Sequence, residues 1–306
     1  MAGKFIVSLD CEGMWGMADQ PHQSRQFVTQ KNLADVYQKL IDLFAEYEIP
    51  ATFAFVGMFV LNEKERQYFE PKLGALPYRG QDWLTNFKKA RAEEKLDGWF
   101  FAEALDMVNS TKVHEIGTHG FTHIPFDGPD TPKSLYEQEL SLVSELGKMK
   151  QVSFNTIVFP RNRLGHLDLM DQFGVKGYRE LLKSGGPALR LLRELNVFEK
   201  SQTPQDSSDS PVRIPSGYFL NWRHGGRKRI PQAVTIARWN SILGDAAKKS
   251  GVAHLWTHPH NFISAPSTFS VLEQIIKKVA QLRDSQALQV QTQQDYVAAQ
   301  LATELN

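Results

Sequence analysis

Strand-length apolar runs alternate with helix-length amphipathic runs along most of this sequence, and few folds are open to a chain of that pattern. "KFIVSL" at residues 4–9 reads as a buried strand. Over residues 32–47, Leu33, Val36, Tyr37, Leu40, Leu43, Phe44 and Tyr47 recur at helical spacing, which predicts a helix with one buried face. Pro50 breaks that helix and "IPATFAFVG" restarts a strand, which completes a βαβ unit. The order then repeats: "VHEIGTHG", a helix over 134–149, "FNTIVFP", a helix over 232–249, "GVAHLWTHP", a helix over 269–283, a short strand "ALQVQT" and a C-terminal helix. Repeated strand-then-helix order predicts an α/β fold whose parallel sheet curls into a closed or nearly closed barrel.

Two segments break the rhythm, one near 62–110 that is rich in charge and aromatics, and one near 183–210 that contains "KSGGP" and "SQTPQDSSDSP". Neither shifts composition enough to mark a second domain, so both are expected to be insertions over one rim of a single domain spanning 1–306, the second partly mobile. At 306 residues and 42% hydrophobic composition the chain can bury a substantial core. Its 35 basic and 34 acidic residues are interspersed, so no nucleic-acid partner is implied. The single cysteine, Cys11, rules out an internal disulfide and a cysteine-built zinc site, so a metal would have to use histidine and carboxylate. "MAGKFIVSLD" has no apolar stretch of signal-peptide length and no stretch is long enough to span a bilayer; the expectation is a cytoplasmic protein.

The candidates for chemistry fall at the carboxyl ends of the predicted strands, where the active sites of parallel β/α proteins collect. Asp10 and Glu12 follow the first strand, His119 and His123 lie in "GTHGFTH", Arg161 and Asn162 in "FPRN", and His258 and His260 in "WTHPHN". Two imidazoles four residues apart can face one point, and with a carboxylate they form a divalent-metal site that leaves a position open for water. Alone, the histidine pair could equally be solvated or core-bonded. The acid pair at another strand end is what favours the metal. Residues two apart in a strand share a face, so Asp10 and Glu12 can both face the strand end while Cys11 points away as a small buried hydrophobe.

The order "SLDCEG", "THGFTH", "FPRN", "LWTHPHN" resembles the polysaccharide deacetylase family, carbohydrate esterase family 4, over most of the chain, and "ATFAFVG" is similar to that family's second strand. The resemblance implies a distorted (β/α) barrel of seven strands and a metal-dependent hydrolase of amide bonds. It implies Asp10 as catalytic base, Glu12, His119 and His123 as ligands of one divalent ion, His258 as acid, and Arg161 as the brace of Asp10. In "FPRNRLG" Arg163 competes for the brace. The ion implied is Zn²⁺ first, with Co²⁺, Ni²⁺ or Fe²⁺ able to take the same donors. The substrate implied is an N-acylated sugar, free or joined to a carrier such as a nucleotide or lipid, losing an acetyl or formyl group. Asn162, Trp222 in "GYFLNW" and Trp99 in "DGWFF" are candidates to contact it, although core packing explains the aromatic stretches equally well. Two other readings stay open: a non-haem iron oxygenase, whose facial triad is also two histidines and a carboxylate, and a relative that binds carbohydrate without turnover.

Overall fold

The computed structural model describes residues 2–19, 27–128, 131–181, 187–204 and 210–302. The strands are β1 (Gly3–Cys11), β2 (Thr52–Phe55), β3 (Pro77–Tyr78), β4 (Gln81–Asp82), β5 (Glu115–Thr118), β6 (Thr156–Ile157), β7 (Gly177–Arg179), β8 (Val212–Ile214), β9 (Tyr218–Phe219), β10 (Val252–Thr257) and β11 (Leu288–Gln291). The helices are α1 (Gln30–Glu46), α2 (Glu63–Phe69), α3 (Thr85–Ala92), α4 (Glu103–Ser110), α5 (Lys133–Lys150), α6 (Pro187–Glu194), α7 (Gln232–Lys249), α8 (Pro259–Ser264), α9 (Ser267–Asp284) and α10 (Gln293–Ala302).

Among the described residues nine strands form one parallel sheet in the order β8-β7-β6-β5-β2-β1-β10-β9, with β11 paired to β1 off that path; β3 and β4 make a separate antiparallel hairpin. The sheet curls into an open, distorted β/α barrel. Its path holds eight strands where seven were expected, because β7, β8 and β9 are only two or three residues long, too short to show a period in sequence. The long elements lie within a few residues of their expected limits. α1 starts where the Thr29 hydroxyl accepts the Asn32 amide, and α7 covers the expected 232–249.

β1 shows how period two builds the site. Phe5, Val7, Leu9 and Cys11 belong to the main core cluster with Leu40 and Phe44 of α1, Trp239 of α7 and Ile276 of α9, so that face is covered by helices. Ile6 instead joins Val212, Ile214, Val252 and Tyr296, inside the barrel. Ser8 and Asp10 continue that inner face. Cys11 is fully buried among apolar side chains, and its thiol, 3.4 Å from the Leu9 carbonyl, is pushed up in pKa by that burial.

The segment near 62–110 folds as α2, the β3-β4 hairpin, α3 and α4, and it packs toward the carboxyl ends of the strands: the Trp83 indole donates to the Thr122 carbonyl at 2.9 Å. Of the insertion near 183–210, residues 183–186 and 205–209 lie outside the described residues, and the expected mobility falls partly on them. Among the described residues no helix is long and apolar enough to cross a membrane.

Candidate active site

Five strand ends deliver the site: Asp10 and Glu12 at β1, His119 after β5, Asn162 after β6, Arg179 as the last residue of β7, and His258 after β10. All but Arg179, which lies buried behind Asp10, line a cavity of about 270 Å³ with Phe219, Trp222, Trp256 and His260. Gly13, at φ +50°, turns the chain at the end of β1, where a Cβ would meet the Gly98 carbonyl and the Phe59 ring, each at 2.5 Å. Gly16 leaves the space that the Glu12 carboxylate fills; a Cβ there would lie 2.0 Å from Glu12 Oε1. His123, Arg161 and Asn162 have φ of +64°, +56° and +51°, so three non-glycine residues hold left-handed backbone beside one cavity, as functional loops often do.

Glu12, His119 and His123 converge. Their ligand atoms lie within 4.8 Å of one another, with His119 Nε2 3.3 Å and His123 Nε2 2.9 Å from Glu12 Oε2, and the two Nε2 atoms 3.1 Å apart. His119 Nδ1 donates to the Val158 carbonyl at 2.6 Å, which fixes the tautomer that leaves its Nε2 lone pair toward the cluster. Burial pushes the His123 pKa down to about 4, so this ring is neutral at neutral pH. For Glu12 burial acts upward, but His258, His119 and His123 outweigh it and hold the carboxyl well below its usual range. An ionised carboxylate and two imidazoles in a buried pocket are a donor set suited to one divalent cation. The loop that carries both histidines is gripped from behind, because Glu139 of α5 accepts the Phe121 and Thr122 amides at 3.0 and 2.9 Å and the Thr122 hydroxyl at 2.8 Å.

Asp10 is braced by a residue that the sequence motifs do not point to. Arg179 Nη1 and Nη2 donate to the two Asp10 oxygens at 2.8 and 2.7 Å, a two-pronged bond between groups that are almost fully buried. Burial would raise the Asp10 pKa; the Arg179 charge and hydrogen bonds, with His119 and His258, bring it below the usual aspartate value. Arg161, expected in this role, pairs instead with Asp19, and its rival Arg163 lies 3.4 Å from Asp127. Asn162 supports the brace by accepting from Arg179 Nη2 at 3.0 Å. Arg179 also lies over the Trp256 ring at 4.5 Å and donates to Ser8 Oγ at 3.3 Å. Ser8 in turn donates to His254 Nε2 at 2.9 Å, and His254 Nδ1 donates to the Pro215 carbonyl at 2.7 Å. Burial and the nearby guanidinium hold His254 at about 3, so its ring stays neutral and the relay keeps one direction.

His258 Nε2 stands 3.8 Å from Asp10 Oδ2 and 3.6 Å from Glu12 Oε1, with the Asn261 side chain 3.2 Å from its Nδ1. Burial lowers its pKa more than the two carboxylates raise it. His260 is also in the cavity, with Nε2 3.9 Å from Glu12 Oε1. Of the two tryptophans considered for substrate contact, Trp222 lines the cavity. Trp99 does not: it is 1% exposed, edge-on to Trp15 at 5.0 Å, and its carbonyl accepts the Trp15 indole. Its bulk belongs to the core beneath the rim. Ser8, His254 and Arg179 were missed because Ser8 sits inside an apolar run, His254 inside β10, and Arg179 ends a strand too short to read.

The fold is that of the polysaccharide deacetylase type of β/α barrel. No protein-family model matches the chain, and no curated protein matches it. Solved structures do. A putative polysaccharide deacetylase from Mycobacterium smegmatis is similar over 100% of this chain and 93% of its own, with a TM-score of 0.64 at 15% identity. Puue allantoinase aligns over 99% of this chain and 91% of its own, with a TM-score of 0.56 at 11% identity. A probable polysaccharide deacetylase from Pseudomonas aeruginosa PAO1 covers 96% of this chain and 89% of its own, with a TM-score of 0.55 at 12% identity. At such identities the likeness establishes the architecture alone.

Proposed function

We propose that this chain is a metal-dependent amide hydrolase that removes an acetyl or formyl group from the nitrogen of a sugar. The observation that carries the reading is Asp10, ionised and pinned by Arg179 at 2.8 and 2.7 Å, beside a three-donor cluster and across from a histidine. Glu12, His119 and His123 would hold one divalent ion, Zn²⁺ first among candidates, which when bound polarises the amide carbonyl and acidifies water. Asp10, kept ionised, accepts the proton of the attacking water. His258, 3.8 Å from Asp10, delivers a proton to the departing nitrogen, and because its ring is neutral at rest that proton is one received during the reaction. Trp222, Phe219 and Trp256 give the sugar an aromatic wall. The neighbours named as deacetylases, and the allantoinase, a name that also denotes amide hydrolysis, support this class of reaction.

The iron-oxygenase reading uses the same three ligands but gives no work to Asp10, Arg179 and His258, which is the ground for preferring hydrolysis. Acetate and formate release from a panel of N-acylated sugars, run beside oxygen consumption, tests the choice. Acyl release that is lost in Asp10→Asn while metal content is retained is the expected result. His258→Ala should lose far more turnover on an amide than on an activated ester, whose leaving group needs no proton. Oxygen consumption without acyl release would replace hydrolysis by oxidation, and neither signal would leave a binding protein.

A further inference from the structure

The catalytic cavity opens into an outer cleft of about 810 Å³ that shares Asn162, Phe219, Trp222, Trp256 and His258 with it. The whole chain is balanced at a net charge of +1, yet among the described residues this one cleft is lined by six arginines against three acids. Three of the arginines come from three separate elements: Arg193 from α6, Arg227 from the turn Gly225–Arg229, and Arg238 from α7. All three line the cleft together with Tyr218. The charges of Arg193 and Arg238 both act on the Tyr218 hydroxyl, and Glu194, which acts on Arg238, is gripped by Arg227 at 2.8 and 2.9 Å.

Arg238 is the unusual member. It is 3% exposed, its guanidinium lies 5.0 Å over the Tyr218 ring, its nearest carboxylate oxygen, on Glu199, is 3.7 Å away, and its Nε has no hydrogen-bond partner among the described residues. A buried guanidinium with Nε unpaired is costly unless something completes its hydrogen bonds. Arg227 spends two donors on Glu194 and keeps the rest of its fork. Guanidiniums that line one cleft from three elements suit a tetrahedral oxyanion, whereas a planar carboxylate is satisfied by one fork.

We propose that the outer cleft binds a phosphate or pyrophosphate group joined to the substrate sugar, seated against Arg193, Arg227 and Arg238, with the sugar reaching past Trp222 to the catalytic cavity. This rests on the amide-hydrolase reading and narrows it to a phosphorylated or carrier-linked sugar. The carrier is a nucleoside or a lipid, two sources of one anionic chemistry.

Pyrophosphate binding to the metal-loaded protein, followed by calorimetry, tests the site directly. Arg193→Gln and Arg238→Gln should each weaken it at least tenfold, while Glu12→Ala, which removes a metal ligand, should leave it within about twofold. Arg193 is partly exposed, so it stands in if Arg238→Gln fails to fold by its unfolding midpoint. No saturable binding, or binding lost in Glu12→Ala and unchanged in both arginine variants, overturns the proposal. Acyl release supplies the second arm, comparing an N-acetylated sugar 1-phosphate, a nucleoside-diphosphate sugar and a short-chain prenyl-diphosphate sugar with a neutral trisaccharide. The expected result is a KM at least tenfold lower for an anionic substrate, raised again in Arg193→Gln; whichever carrier gives the lowest KM identifies the source. A neutral trisaccharide hydrolysed as well as the others sinks the anion site and leaves the hydrolase standing. Pyrophosphate bound through the arginines with no acyl release from any substrate leaves the anion site and sinks the hydrolase.

Discussion

Burial and charge act on Asp10 in opposite directions, and Arg179 decides the outcome. With that guanidinium gone, only His119 and His258 would oppose the desolvation of a carboxyl that is 2% exposed, and its pKa would climb. Arg179→Lys replaces a two-pronged donor by a point charge and abandons the Asn162 bond and the Trp256 face, so it is not a mild change. The expected outcome is a fall in kcat/KM of about a hundredfold at neutral pH, with partial recovery as pH rises because Asp10 then needs higher pH to ionise. The pH–rate profile is the check: a lowered rate whose acid limb has not moved would reduce Arg179 to a structural support. Arg161→Ala should cost less than tenfold, since its pair with Asp19 is a half-exposed one. The arginine that the sequence makes prominent is not the one that reaches Asp10, and the reason is physical. "FPRN" stands at a strand end as a family motif does, but the chain enters left-handed backbone at Arg161 and Asn162, and it is Asn162 that reaches Arg179. Nothing in "GYRE" announces that its arginine will cross the barrel to β1.

Histidines at positions i and i+4 suggest a helix, yet His119 and His123 sit on a loop, so something other than helical geometry must hold them. Glu139 of α5 does so, taking three hydrogen bonds from residues 121 and 122. Burial pushes its pKa from 4.5 up to about 7, even though those bonds pull the other way. The sign of the linkage follows. Below the unfolded value both states are protonated; between 4.5 and about 7 the unfolded chain ionises while the folded one keeps its proton, so stability is lost as pH rises through that window. Glu139→Gln keeps an acceptor for the two amides and cannot ionise. It should therefore match the parent near pH 5 and exceed it near pH 7.5 by about 2 kcal/mol, as read from denaturant unfolding at the two pH values. Glu139→Ala should instead lose metal affinity, because two buried amides are left unpaired beside His123. A glutamine variant with the parent's pH slope would show that Glu139 is not the group that titrates. At this scale the sequence was legible where elements are long. α1, α5, α7 and α9 announce themselves by apolar spacing and β1 and β10 by mainly apolar runs, whereas β7 to β9 exist only because neighbouring strands pair with them.

The barrel keeps a buried carboxylate group at each end of its sheet. At the amino end Glu115 opens β5 and accepts from the Thr52 hydroxyl at 2.7 Å and the Gln294 amide at 2.9 Å, tying two strands to the start of α10; burial raises its pKa. That cluster is closed by protein donors alone. At the carboxyl end Glu12 faces two histidines whose rings cannot both satisfy it while neutral, and the three donors lie within 4.8 Å. β1 runs between these ends. It pairs with β10 along one edge and on the other with β11 near its start and β2 near its finish, so the strand that bears Asp10 and Glu12 is fixed by three neighbours before any ion arrives. An ion held by a site this far organised would bind the native chain and not the unfolded one, and would therefore stabilise the whole molecule. At a free ion concentration one hundred times Kd the gain is about 2.7 kcal/mol. For a domain of this size that raises Tm by about 4 °C. Scanning calorimetry with Zn²⁺ and with chelator should show that difference in the parent protein. Glu12→Ala and His123→Ala should each abolish it, their Tm values coinciding with and without the ion, while Asp10→Asn should retain it because Asp10 is held by Arg179 and not by the cluster. A parent Tm indifferent to chelator, or a shift that survives in both ligand variants, would mean that Glu12, His119 and His123 do not hold the ion.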